Sequence, residues 1–141
     1  MERIAFTALG HENIVGEHET TLEITTENSL TSAGTCIIGV CASLNLPSFN
    51  ERIKKLAASP TTNITLRLSA GEYTDIVKGY GSPGLTYSNP VSMVIRKSTY
   101  ECDRTLMVRA DKSASDLMRP MIRLLVSRDI VLDCEIEYSR K

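Results

Sequence analysis

Both histidines of the chain, His11 and His18, stand in one nine-residue stretch, GHENIVGEH at 10–18. Neutral imidazole is a common metal ligand and titrates near physiological pH, so two in one loop could hold a metal ion or share acid–base work. No third ligand stands at the spacing of a metal motif, so no metal is assigned. Glu23, in TTLEITT at 20–26, is the best-placed third group. The plainer alternative has His18 starting a strand and His11 capping the loop through a backbone hydrogen bond. Were a sheet to close around a polar interior, Glu23 would be a buried carboxylate, its pKa raised unless Arg96 or Arg104 paired with it.

RKSTYECDRT at 96–105 is the second concentration of chemistry. The guanidinium groups of Arg96 and Arg104 suit phosphate or carboxylate, Ser98 and Thr105 add hydroxyl donors, and Asp103 adds a carboxylate. A small anion, a nucleotide or an RNA backbone would fit. Charged turns are also ordinary solvated surface, and a chain with no Trp has few rings on which bases could stack. GYGSPG at 79–84, with Gly81 and Ser82, resembles a phosphate-cradling loop in glycine content alone. It lacks the Lys and Ser/Thr of a P-loop and runs into TYSNP rather than a helix. Either a nest of backbone N–H groups or a pair of turns, with the glycines at positive φ and Pro83 at a corner, would account for it. No Gly-x-Ser-x-Gly elbow and no recognised Cys–His–Asn signature is present, so nucleophilic hydrolysis is unsupported.

The elements that must position these residues follow from hydrophobic spacing. Period-2 alternation marks strands around Ile4, Phe6 and Ala8, around Leu22 and Ile24, through Ile64, Leu66 and Leu68, and through VLDCEIEY at 131–138. TCIIGVCAS at 35–43 is apolar on both sides and suggests a central strand. MVIRK at 93–97 and TLMVRA at 105–110 read as a pair joined by STYECDR, a basic hairpin. Two segments carry helical spacing: Phe49, Ile53, Leu56 and Ala57 after Pro47, and Leu117, Met121, Leu124 and Leu125 behind a capping box of Ser113 and Asp116. Pro120 lies inside the second, which predicts a kink near Asp116.

In order, these elements spell βββαβ twice, over 1–70 and 71–138. The expected class is α+β, with about eight strands in an antiparallel-rich curled sheet or barrel, two helices, and a duplicated βββαβ unit. A duplication would set GHENIVGEH and the GYGSPG loop in corresponding positions. At 141 residues and 42% hydrophobic, the chain suits one domain, since halves of this size would be marginal alone.

The net charge of −1 gives no general pull toward nucleic acid or anionic membrane, but residues 1–30 hold six Glu against one Arg while basic residues gather later. No apolar run spans a bilayer and MERIAFTALGHE lacks the regions of a signal peptide, so no membrane association and a cytoplasmic setting are expected. The four cysteines are too few for a disulfide scaffold. Cys36 and Cys41 would face opposite sides of one strand, and Cys134 reads as a small buried hydrophobe.

The blocks LGHENIVGEHETTLEIT, LTSAGTCIIGV, GYGSPGLT, MVIRKS and DRTLMVRADKSASDL, in this order, resemble the archaeal family catalogued as domain of unknown function 371. The resemblance spans nearly the whole chain and implies a small archaeal cytosolic protein. It brings no activity. Where it leads one to expect an acidic residue before the cysteine of the central strand, this chain has Thr35, which argues against a metal role there.

Two functional readings stand. In the first, a protein, enzyme or not, binds a small anion or nucleotide where His11, His18, Glu23, Arg96, Ser98, Asp103, Arg104, Gly81 and Ser82 converge, with no cofactor named by the sequence. In the second, the basic hairpin attaches a non-catalytic module to RNA or a protein partner. Exposed strand edges would also allow a homodimer.

Overall fold

The computed structural model describes residues 1–140. The first half holds β1 (Glu2–Leu9), β2 (Thr21–Thr25), β3 (Ile37–Gly39), α1 (Glu51–Ala57) and β4 (Thr62–Ala70). The second holds β5 (Tyr73–Tyr80), β6 (Ser92–Arg96), β7 (Thr105–Met107), α2 (Arg119–Leu124) and β8 (Val131–Arg140). The eight strands form two four-stranded sheets, ordered β1-β8-β4-β5 and β3-β2-β6-β7. Exchanging the two halves leaves both orders unchanged, so the repeated βββαβ pattern is built into the architecture.

The repeat extends to single hydrogen bonds. Leu9 and Val40 exchange backbone bonds of 2.7 and 2.8 Å, and the corresponding Tyr80 and Val108 exchange two of 2.9 Å. The Thr7 N–H donates to Ser43 Oγ at 3.0 Å, where the second half has the Lys78 N–H donating to Asp111 Oδ1 at 2.9 Å. Left-handed backbone recurs at the same places: Gly16 (φ 56°) matches Tyr87 (φ 52°), and Cys41 (φ 55°) matches Arg109 (φ 52°). These φ values are therefore demands of the fold, met by Tyr87, Cys41 and Arg109 although glycine, as at Gly16, takes them more readily.

The first sheet is wholly antiparallel, as its alternation predicts. Ile64, Leu66 and Leu68 of β4 and Leu132, Cys134 and Ile136 of β8 are buried on one face, while Arg67 and Asp133 look outward. Each large side chain so buried contributes roughly 1.5–3 kcal/mol. Helix α1 packs against β1, β8 and β4, and α2 against β4 and β5. A single apolar cluster draws on both halves.

Four expectations are corrected. The sheets do not close into a barrel; they meet at two seams through the isolated bridges Leu9–Val40 and Tyr80–Val108. Strand β3 is the edge of its sheet, not a central strand. It reads as apolar on both sides because the seam bridge and the core cover it, with Ile38 and Val40 buried. Strands β6 and β7 pair in parallel, so 97–104 is a crossover that returns along the sheet rather than a hairpin turn; β2 and β3 do the same. Finally, 113–125 is not one kinked helix. Leu117 is extended (φ −72°, ψ 154°), dividing a 3-10 turn at Ala114–Asp116 from α2. Pro120 falls in the first turn of α2, where its missing N–H has no intrahelical partner to lose.

The glycines of the GYGSPG loop act differently from expectation, since none of them is at positive φ. Gly10 and Gly81 have no positive φ. Each lets the chain leaving its seam cross closely over a helix end. The His11 N–H donates to Leu125 O at 2.8 Å and the Ser82 N–H to Ala57 O at 2.9 Å, satisfying carbonyls that the helices leave open.

Candidate functional site

The predicted site residues fall in three places. At the first seam His11 is 2% exposed. Its Nδ1 accepts from the Asn13 N–H at 3.0 Å, and Arg128 Nη2 lies 3.0 Å from its Nε2. Arg128 also grips Glu12 in bidentate fashion, donating through Nε and Nη2 at 2.7 and 2.9 Å. That hydrogen-bonded pairing holds the Glu12 carboxyl down at about 2 from its usual 4.5. A carboxyl so lowered adds stability that is full above pH 4.5 and fades as pH falls toward 2. Urea unfolding at pH 6 and pH 3 should thus show Glu12→Gln trailing the parent protein at pH 6 and closing most of the gap at pH 3. An equal gap at both would show that the pairing does not stabilise the fold.

His18 is half-buried, and its Nδ1 accepts from the N–H groups of Thr20 and Thr21, both at 3.2 Å. Both histidines thus cap their own loops, and His18 precedes β2 rather than beginning it. Among the described residues no group of three His, Cys, Asp or Glu side chains is placed to hold a metal ion.

The second place is the outer face of the β3-β2-β6-β7 sheet. Glu23 accepts from the Cys36 thiol at 3.6 Å. Burial first, and the Glu23 charge second, push that thiol up to about 11. Arg96 stands opposite Thr21 in the register. Its side chain turns the other way, donating to Thr105 Oγ1 at 2.9 Å and Cys102 Sγ at 3.4 Å and lying 4.9 Å from the centre of the Tyr100 ring. Burial would raise the Cys102 thiol, but hydrogen bonds from Thr105, the Arg104 backbone and Arg96 outweigh it and bring it below its ordinary value.

The third place is the crossover 97–104 against the GYGSPG loop. Glu101 accepts a short hydrogen bond from the Ser82 hydroxyl and another from the Gly84 N–H at 2.7 Å. Ser98, Asp103 and Arg104 are exposed on this crossover and order it largely through backbone groups: Ser98 O accepts from the Arg109 N–H, Asp103 O from Ser88 and Asn89, and Arg104 O from Val94. In the repeat the histidine loop corresponds to the GYGSPG loop and the crossover to the connection between β2 and β3, so the histidine loop and the crossover occupy different places in their halves. Their nearest approach among these bonds is at His18, beside Thr20, whose carbonyl accepts from the Lys97 N–H at 3.0 Å.

Two depressions open elsewhere, on the outer face of the β1-β8-β4-β5 sheet. One, of about 350 Å³, is lined by Thr7, Arg67, Ser69, Asp133 and Glu135 among others. The other, of about 530 Å³, is lined by Asn63 and Thr65 of β4, Lys78 and Tyr80 of β5, and Arg109 and Asp111 beyond β7. The antiparallel register sets Asn63 opposite Tyr80 and Thr65 opposite Lys78. The Tyr80–Val108 bridge then brings the segment after β7 alongside, placing the Arg109 guanidinium 4.3 Å from the centre of the Tyr80 ring. Two cations, one of them braced on an aromatic face, thus share a cavity of ligand size with a carboxylate and two small polar side chains.

Sequence reading missed Lys78, Tyr80, Arg109 and Asp111 because no single stretch contains them. The signal that could have found them is the repeat. At the corresponding positions of the first half stand Thr7, Leu9, Cys41 and Ser43.

The model of a family described as "Domain of unknown function (DUF371)" matches residues 6–139. A protein named as uncharacterized protein MJ0206, from Methanocaldococcus jannaschii, is 41% identical over 118 residues, covering 84% of this chain and 87% of its own length.

Proposed function

The chain belongs to the DUF371 family, which brings no assigned activity, and from its geometry we propose that it binds a small anionic ligand in the cavity of Lys78, Tyr80 and Arg109. The observation that carries this is the contrast between the halves. The bridge, the left-handed residue after it and the side-chain acceptor for the strand's N–H are present in both. The fold is therefore satisfied by Thr7, Leu9, Cys41 and Ser43, and does not require two cations and an aromatic ring. Exposed charge set in a concavity without a folding role fits recognition of a charged group. Arg109 offers a bidentate fork and Lys78 a point charge.

The reading keeps the ligand class expected from the sequence and moves the site. The basic crossover is the weaker candidate because Arg96 is engaged with Thr105 and Cys102, and Lys97 with Asp116 at 2.7 Å.

Titration with inorganic phosphate, read as the rise in melting temperature, tests the proposal against the double variant Lys78→Thr/Arg109→Asn. Threonine is what the first half carries, and asparagine tolerates the left-handed backbone. Millimolar phosphate is expected to stabilise the parent protein, with affinity falling at least about tenfold in the double variant, since a hydrogen bond to a charged group contributes roughly 1.5–3 kcal/mol. No stabilisation of the parent, or equal stabilisation of both, overturns it. Salt-sensitive RNA retention that Arg104→Ala abolishes and the double variant keeps would move the function to the crossover.

A further inference from the structure

We infer that the ligand of this cavity carries a hydrogen-bond donor, a hydroxyl or amino group, close to its anionic group, and that Asp111 reads it. The inference rests on the cavity reading above and concerns a feature which that reading leaves unexplained: a carboxylate lining a site whose other charges are cationic. For an anion alone, Asp111 is a liability, because it repels the ligand and offsets the charge of Lys78 and Arg109.

The fold does not explain it either. The structural duty at this position is to accept from the backbone N–H across the seam, which Asp111 Oδ1 does for Lys78 at 2.9 Å. Ser43 does the same for Thr7 at 3.0 Å with a neutral hydroxyl. In both halves the residue's own N–H closes the loop with 2.8 Å bonds, Ser43 to Thr7 O and Asp111 to Lys78 O. A serine is therefore sufficient. What the aspartate adds is a second oxygen, Oδ2, which takes no hydrogen bond among the described residues and belongs to an exposed side chain at the cavity wall.

An ionised carboxylate oxygen accepts and never donates. Its counterpart on the ligand must be a donor, and a charge-assisted bond to it would discriminate strongly against analogues that lack the donor. An anionic end on Lys78 and Arg109 with a donor end on Asp111 describes a phosphorylated polyol or amine, of which a sugar phosphate or the ribose phosphate of a nucleotide is the plain example. The cavity of about 530 Å³ is large enough for such a molecule.

The test compares inorganic phosphate with ribose 5-phosphate by calorimetric titration, on the parent protein and on Asp111→Ser and Asp111→Asn. Serine repeats the solution of the first half; asparagine keeps Oδ1 and replaces the second oxygen by a donor. The parent is expected to bind ribose 5-phosphate at least about tenfold more tightly than phosphate. Both variants should lose that preference while holding phosphate as well as the parent or better. If phosphate binds but the two ligands are bound equally, or the preference survives both substitutions, the inference is overturned and the anion site stands. If neither ligand binds the parent, the anion site falls, and this inference with it.

Discussion

Replacing Asp75 with Ala should lower the unfolding free energy by about 3 kcal/mol, at the lower end of the range for breaking a buried pair because one partner stays partly hydrated. Asp75 is 6% exposed and Lys112, its ion-pair partner, 34%. The same carboxylate accepts from the Met118 N–H through Oδ2 and from the Ile76 N–H through Oδ1, both at 2.9 Å. One side chain therefore ties the β5 edge to the approach of α2. Losing it leaves an ammonium and two N–H groups without their acceptor.

The repeat supplies the control. The positions corresponding to Asp75 and Lys112 in the first half are Ile4 and Leu44, both packed partly buried against the core. Asp75→Ile/Lys112→Leu should therefore recover at least half of what Asp75→Ala loses, since an apolar pair of similar volume often replaces a buried ion pair at little cost. Urea unfolding of the three proteins decides it. A double variant as unstable as the single one would mean that the loss comes from the two N–H groups left without an acceptor, not from the stranded charge.

An equally large effect is expected at the seams. A β-carbon at Gly81 would collide with the carbonyl oxygens of Ser59 and Ala57, and one at Gly10 with those of Ser127 and Leu125. In each case the obstruction is the backbone at a helix end, which cannot swing aside as a long side chain would. Gly81→Ala and Gly10→Ala should each cost about 3 kcal/mol or more, at or beyond the upper range for overpacking. Because the two glycines do the same work, their midpoint shifts in urea should agree closely. Gly84→Ala is the contrast, since its new carbon would meet the Glu101 carboxylate, the far end of a flexible side chain. An alanine tolerated at either seam glycine would show that the strand does not need its close passage over the helix.

How much of the site was legible follows from where its residues lie. His11 and His18 drew attention because they share one stretch, yet each ring accepts from a backbone N–H two residues further on, a short-range duty that its position in a loop allows. Arg96, Ser98, Asp103 and Arg104 form a charged run in sequence, and the fold divides them between the end of β6, where Arg96 turns toward Thr105, and the crossover that follows. Lys78 and Tyr80 lie some thirty residues before Arg109 and Asp111, with nothing local to link them. Only the bridge between Tyr80 and Val108 makes them one cavity.

By itself the sequence determined the faces. The alternation of Ile64, Leu66 and Leu68, and of Leu132, Cys134 and Ile136, decides which side of each strand leaves water, because side chains alternate across a strand whatever its neighbours are. It also determined the succession of elements, and with it the repeat. Tertiary structure decided the partners: β3 at an edge, β7 parallel to β6, two seams in place of a closed barrel, and Pro120 opening a helix that Leu117 had already interrupted. Hydrophobic period records only whether a side is buried, whereas pairing direction and seam geometry depend on backbone hydrogen bonds, which every residue type but proline can donate.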